Sequence, residues 1–106
     1  MLIVVQERNW IVNSKDIEYV HLSKYYYKDN EEYTNYHHAE YVESHLEEYP
    51  NINEYKTTYM IRTNHFAWQE LGRYSTEEKA QDALNKLQKS RIIFFMPKEK
   101  VNESKL

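Results

Sequence analysis

Eight carboxylates fall between Lys28 and Lys56, with no Lys or Arg among the 27 intervening residues. They are Asp29, Glu31, Glu32, Glu40, Glu43, Glu47, Glu48 and Glu54, interleaved with Tyr33, Tyr36, Tyr41, Tyr49 and Tyr55. Of 17 acids in the chain, nine are left for the other residues, against all 14 Lys and Arg. The formal net charge of −3 therefore divides into a segment near −8 and a body near +5. A block of like charge repels itself and adds little to folding, so it serves solubility or a partner. Read as a solvated face, the segment keeps a tyrosine-rich domain in solution. Read as a site, it offers carboxylates to something basic. On a helix, positions 40, 43 and 47 stand about 4.5 and 6 Å apart along the axis, a scale similar to the roughly 3.4 Å charge spacing of one DNA strand. Such a surface can occupy a channel that normally holds phosphates, with rim tyrosines adding contact area at low entropic cost. The residues assigned to that face are Glu31, Glu32, Glu40, Glu43, Glu47, Glu48, Tyr36 and Tyr41.

Other chemistries find less support. His37, His38 and His45 lie near Glu40 and Glu48, but seven helical residues separate His38 from His45 by about 10 Å, too far to share an ion. The remaining pairs supply two ligands at most, so no metal is expected. Tyr25-Tyr26-Tyr27 could stack on bases as aromatic sheet faces do. Alternate strand residues point to opposite faces, however, which sends one or two of the three into a core. A small nucleic-acid-binding or regulatory domain using this tyrosine-rich sheet is thus the alternative to an acidic decoy. One glycine excludes a phosphate-cradling loop of known pattern, and no Ser-His-Asp or paired-carboxylate arrangement can be placed. Isolated histidines such as His21 and His65 carry no motif. No catalysis and no cofactor are expected.

The elements that must position these residues are short. Leu2–Gln6 and Trp10–Val12 read as a hairpin, and Asn13-Ser14-Lys15-Asp16 as a turn. Strands follow at about 18–27, 55–62 and 66–74, the last containing Gly72, where a bulge or a close backbone approach is the usual reason for glycine. Ser75-Thr76-Glu77-Glu78 has the pattern of a capping box, with Ser75 as N-cap. Ala80, Ala83, Leu84 and Leu87 then recur at helical spacing, predicting a helix over 76–90. A sixth, well-buried strand is expected over 91–96, stopped by Pro97, with a flexible tail over 98–106. Within the acidic segment, residues 28–35 read as loop and 37–49 as an amphipathic helix, with Ala39, Val42, Leu46 and Tyr49 on its apolar stripe and Pro50 ending it.

The expected architecture is one α+β domain over 1–97: an antiparallel sheet of five to six strands, one packed C-terminal helix, and an inserted acidic helix within 28–54. With 41% hydrophobic residues and eleven Tyr, much of the buried surface must carry hydroxyls that need partners. Absent cysteine excludes disulfides and thiolate chemistry. The apolar run Met1–Val5 is too short for a signal peptide and no stretch reaches membrane length, so a cytoplasmic protein without membrane contact is expected.

Several pieces together resemble a family of short, uncharacterised proteins of Firmicutes and their phages. These are the opening hairpin ending in Trp10-Ile11-Val12-Asn13, the run Leu71-Gly72-Arg73-Tyr74-Ser75-Thr76-Glu77-Glu78-Lys79-Ala80, and the terminal strand closing with Met96-Pro97. The resemblance covers about two thirds of the chain and carries over no catalytic residue. It implies an origin in a low-GC Gram-positive bacterium or its phage. It also marks 29–53 as a departure, since the family has a short connection there. Read with the charge partition, this suggests an anti-CRISPR-like protein that blocks a basic nucleic-acid enzyme of the bacterial host, such as a CRISPR effector nuclease, without binding nucleic acid itself.

Overall fold

The computed structural model describes residues 1–6, 11–17, 19–29, 34–63, 69–90 and 93–98. Strands β1 (Leu2–Val4) and β2 (Ile11–Asn13) pair antiparallel, the expected hairpin arms. The Asn13 side chain then accepts from Lys15 N at 3.0 Å and caps a 3-10 turn over Ser14–Asp16. Strand β3 (Val20–Tyr27) lies between the two-residue β4 (His37–His38) and β5 (Lys56–Thr63), and β5 pairs on to β6 (Gln69–Tyr74), all antiparallel. Helix α1 (Ala39–Ser44) follows β4, helix α2 (Glu77–Lys89) follows β6, and β7 (Ile93–Phe95) ends the described order.

The chain is α+β, but the single antiparallel sheet of five to six strands is replaced by two sheets. One has the order β4-β3-β5-β6; the other has the order β2-β1-β7, in which β7 runs parallel to β1. Gln6 shows why the sheets meet without merging. Its N–H donates to Leu71 O at 2.9 Å, and its side chain then does what a neighbouring strand would do. Oε1 accepts from Arg73 N at 2.7 Å, and Nε2 donates to Pro97 O at 2.8 Å. One amide side chain thus satisfies backbone groups that a continued ladder would have paired. On the same strand, β6 carries an extra residue against β5: Ile61 pairs with Gly72 but Arg62 with Glu70, leaving Leu71 as a bulge. Gly72 also meets the other expected reason for a glycine. A Cβ there would stand 3.0 Å from the Tyr74 hydroxyl and 3.2 Å from Met96 Cε.

The core lies between the sheets and α2. Ile3 and Val12 come from one sheet, with Val5 just after β1, Ile61, Leu71 and Tyr74 from the other, and Ala80, Ala83 and Leu87 from the helix, together with Met96 after β7. Leu84 and Phe94 pack against this cluster half-buried, whereas Ile92 and Trp68 lie outside the described residues. The N-cap of α2 is Thr76 rather than Ser75. Its hydroxyl accepts from Lys79 N at 3.2 Å, so the residue at N3 is a lysine and the reciprocal carboxylate of a capping box is missing. Glu77 and Glu78 still occupy the first turn and Lys86 and Lys89 the last, as the helix dipole favours.

The final strand is not well buried. Ile93 and Phe95 are 51% and 69% exposed, because β7 is an edge strand with one face inward. The pairings Leu2 with Ile93 and Val4 with both Phe95 and Ile11 put these residues on the outer face. Arg91 and Ile92 of the expected strand, residues 66–68 of the preceding one, and most of the expected tail (99–106) lie outside the described residues.

Candidate partner-binding face and a cleft on the sheet

The acidic segment does not form one helix from 37 to 49. His37 and His38 instead extend the sheet, pairing with Tyr26 and Tyr25. Helix α1 stops at Ser44, and 3-10 turns follow at Leu46–Glu48 and Ile52–Glu54. Local side chains end the helix by taking the carbonyls that a next turn would use. The Ser44 hydroxyl donates to Glu40 O at 2.8 Å, with Tyr41 O at 3.0 Å, and His45 Nδ1 lies 2.9 Å from Tyr41 O. The His45 N–H turns back to Val42 O at 3.1 Å, a tighter closure than α-helical geometry. The apolar stripe therefore breaks half-way. Ala39 and Val42 are buried, Tyr49 is half-buried, and Leu46 is 52% exposed.

Rings stabilise the stretch that leaves the helix. Tyr41 stacks on His45 with centroids 4.1 Å apart, and Tyr49 meets His37, Tyr41 and Tyr55 edge-on at 5.6, 6.3 and 6.0 Å. Such edge-to-face geometry suits the aromatic quadrupole.

The assigned carboxylates have different environments. Tyr26 donates to Glu43 at 2.8 Å and Lys24 approaches it at 3.5 Å, which together hold the Glu43 carboxyl below its ordinary range, the tyrosine bond contributing most. Tyr41 donates to both Glu48 oxygens at 3.0 and 3.1 Å, and this raises the Tyr41 phenol above its usual range. Glu54 pairs with Lys28 at 3.7 Å and Asp29 with Lys56, so lysines flanking the segment offset part of its charge. Glu40 and Glu47 are exposed and carry no ion pair or side-chain hydrogen bond among the described residues. Glu31 and Glu32 lie outside the described residues.

Tyr36 stands apart from this face. Arg73 Nη1 donates to its hydroxyl, the guanidinium lies 4.8 Å from its ring centroid, and Tyr27 packs at 5.3 Å. Arg73 in turn holds Glu70 through Nε at 2.8 Å and Nη2 at 2.6 Å, a two-point pair that drives its guanidinium further above the ordinary arginine range.

A second constellation emerges only from strand register. His21, Ser23 and Tyr25 alternate along β3. Arg62 of β5 sits opposite His21, and His38 of β4 opposite Tyr25. These five residues line a cleft of about 210 Å³. Alternation along β3 places His21 and Ser23 in one row, but nothing in the sequence brings His38 and Arg62 beside it. Tyr25 is buried while Tyr26 and Tyr27 are half-buried, and strand alternation places Tyr25 and Tyr27 on one face and Tyr26 on the other. Among the described residues, no three His, Asp or Glu gather as a metal-ligand set, and no described helix is long and apolar enough to cross a membrane. Comparison with known protein families, curated proteins and solved structures finds no match to this chain.

Proposed function

We propose that this is a non-catalytic interaction protein that presents the segment around α1 to a basic surface of a partner protein. The observation that carries the proposal is a composition within one short stretch. Leu46 and Tyr41 are large apolar residues left 52% and 45% exposed, and Glu40, Glu47 and Glu48 stand beside them in sequence on the same exposed stretch. An exposed aliphatic and an aromatic residue bordered by carboxylates suit an interface in which apolar contact holds and charge selects. The partner class we infer is a nucleic-acid-binding protein or nuclease of a bacterial host, of which a CRISPR effector is one. The protein itself would be a phage or mobile-element product working in the host cytoplasm. The charge partition and the resemblance to phage proteins support this finer reading.

The structure changes how the face would work. With α1 ended at Ser44, Glu47 leaves the helix that was to space it from Glu40 and Glu43, and Glu43 is turned to Tyr26 and Lys24. A regular helical imitation of a phosphate backbone therefore gives way to an irregular exposed stretch that carries Tyr41 and Leu46 among its carboxylates. The competing reading, a merely solvated face, draws support from the ion pairs to Lys24, Lys28 and Lys56.

The test is a double reversal, Glu40→Lys with Glu47→Lys, in the full chain. Glu43 is left alone because a lysine there would face Lys24 and lose the Tyr26 bond. The wild type should capture a basic nucleic-acid-handling protein from bacterial host lysate and compete with nucleic acid for it. The double variant should fold equally well and lose that protein. Equal capture by both chains, or a mobility shift of DNA by the isolated wild type at about 100 mM salt, would sink the proposal.

A further inference from the structure

Three times among the described residues, a tyrosine ring and a carboxylate hold one cation between them. Lys24 Nζ lies 5.0 Å from the Tyr26 ring centroid and 3.5 Å from Glu43, which also accepts from the Tyr26 hydroxyl at 2.8 Å. Lys28 Nζ lies 4.7 Å from the Tyr55 centroid and 3.7 Å from Glu54. The Arg73 guanidinium lies 4.8 Å from the Tyr36 centroid and takes both Glu70 oxygens, at 2.8 and 2.6 Å. The negative face of a phenol ring and a carboxylate beside it attract the same charge, so a cation between them is held twice.

A fourth pair of this kind is Tyr41 and Glu48, whose phenol donates to both carboxylate oxygens at 3.0 and 3.1 Å. Among the described residues no Lys or Arg lies over Tyr41 or pairs with Glu48. The charged groups that raise the Tyr41 phenol, the Glu48 bond foremost, include no base either. The sequence supplies the reason. No Lys or Arg occurs between Lys28 and Lys56, and the flanking Lys24, Lys28 and Lys56 are taken by Glu43, Glu54 and Asp29. The pair is also open to a visitor. Tyr41 is 45% exposed, Glu48 and Leu46 are exposed on the same stretch, and His45, stacked on Tyr41 at 4.1 Å, holds the ring in place.

We propose that Tyr41 and Glu48 form a subsite for the guanidinium of an arginine side chain on the basic partner, an inference that rests on the reading of this stretch as the partner-binding face. The arrangement of Arg73 shows what such a group can do at once: it lies on the Tyr36 ring, donates to the Tyr36 hydroxyl and holds Glu70. At Tyr41 the phenol proton is committed to Glu48, but the phenol oxygen can still accept, and each carboxylate oxygen keeps a lone pair for a second donor. A guanidinium has the donors for both and a weakly hydrated plane to lay against the ring, whereas an ammonium is a compact, strongly hydrated charge. Lysine serves in the internal pairs of Tyr26 and Tyr55, where the chain itself delivers it. A visiting side chain has to leave water first, which favours arginine. Leu46 offers apolar surface to its aliphatic stem.

The test titrates the full-length, isotopically labelled protein with a short oligoarginine peptide, and with oligolysine of the same length, at constant ionic strength. Saturable amide shifts are expected at Tyr41, His45, Leu46 and Glu48, with oligoarginine binding about threefold more tightly or better. Glu48→Gln should weaken oligoarginine about fivefold, while Glu40→Gln, which removes the same charge from a carboxylate with no tyrosine bond, should weaken it about twofold or less. Tyr41→Leu keeps an apolar side chain but removes the ring, and should erase the preference for arginine over lysine. Should that variant disturb the turn after α1, seen as altered amides at Val42 and Ser44 without peptide, Glu48→Gln against Glu40→Gln decides. Saturable binding with equal losses in those two variants, or with equal affinity for both peptides, would overturn the subsite and leave a face selected by charge alone. No saturable shift with either peptide would overturn both the subsite and the face.

Discussion

The two helices begin from the same apolar spacing and reach opposite ends. Ala80, Ala83 and Leu87 in α2 stand at the same offsets as Ala39, Val42 and Leu46 in the acidic segment. In α2 all three are buried, at 0%, 1% and 4% exposure. In the insertion the first two are buried and the third is 52% exposed. The difference lies in the helix ends rather than in the stripe. Helix α2 has a side-chain cap at Thr76, acids in its first turn, lysines in its last, and a Lys86–Asp82 pair at 3.0 Å along its outer face. Helix α1 has no side-chain cap at His38 and no base in its last turn, while Ser44 and His45 draw on its carbonyls. A helix short of the roughly 12–15 residues needed for independent stability depends on such terms. Apolar spacing thus shows which face a helix would bury, and the ends decide whether the helix lasts long enough to bury it.

The sharpest way to break this comparison is to truncate the matched leucines. Leu87→Ala should lower the stability of the whole chain by about 2–5 kcal/mol, the usual cost of emptying a core leucine site. Leu46→Ala should change stability by no more than about 0.5 kcal/mol, as surface substitutions do. Urea denaturation of the two variants measures both. Equal losses would mean that the insertion buries Leu46 after all, and the patch proposed for a partner would disappear with it.

That contrast also marks what could be read from the sequence. Strands β3 and β5, the hairpin arms and α2 were legible because their patterns are local and repeat at the period of their own backbone. Gly72 was legible because only a bulge or a close approach calls for a lone glycine in a strand. The bulge at Leu71 and the contacts to Tyr74 and Met96 supply both. The division into two sheets was not legible, since it turns on Gln6 standing in for a strand between β6 and Pro97, residues far apart in sequence. The early end of α1 depends on which carbonyls Ser44 and His45 choose, a competition that residue type alone does not settle. The cleft was hidden for the same reason as the sheets. Register, not sequence neighbourhood, puts His38 and Arg62 around His21 and Ser23.

A middle-sized effect separates packing from persistence. Val42 is fully buried although its helix is short. Val42→Ala removes two methyl-sized groups and should cost about 1.6 kcal/mol by transfer alone. Because α1 lies against β3 and β4 rather than in the main core, the loss should be local. Amide exchange should quicken across residues 37–49 well before α2 is affected. Uniform acceleration in both helices would show that the insertion and the core open as one unit.

The smallest effect concerns the charge contact that ties α1 to β3. Glu43 has its carboxyl lowered from the ordinary 4.5, first by the Tyr26 hydroxyl and then by Lys24. A carboxylate lowered in the folded state stabilises it fully above the unfolded value, and that contribution fades as pH falls through the folded one. The window is therefore below pH 4.5, where protonation of Glu43 should loosen α1 from β3. No comparable tyrosine–carboxylate bond ties α2 to the sheet among the described residues, so its amides should be less sensitive in that range. The group is exposed and screened, so the change will show in the Glu43 side-chain carbon titration rather than in global stability. Tyr26→Phe removes the leading cause and should move the Glu43 midpoint upward, toward 4.5, with Lys24 still in place. An unchanged midpoint in that variant would assign the shift to Lys24 alone, and the Tyr26 bond would then have no part in fastening α1 to the sheet.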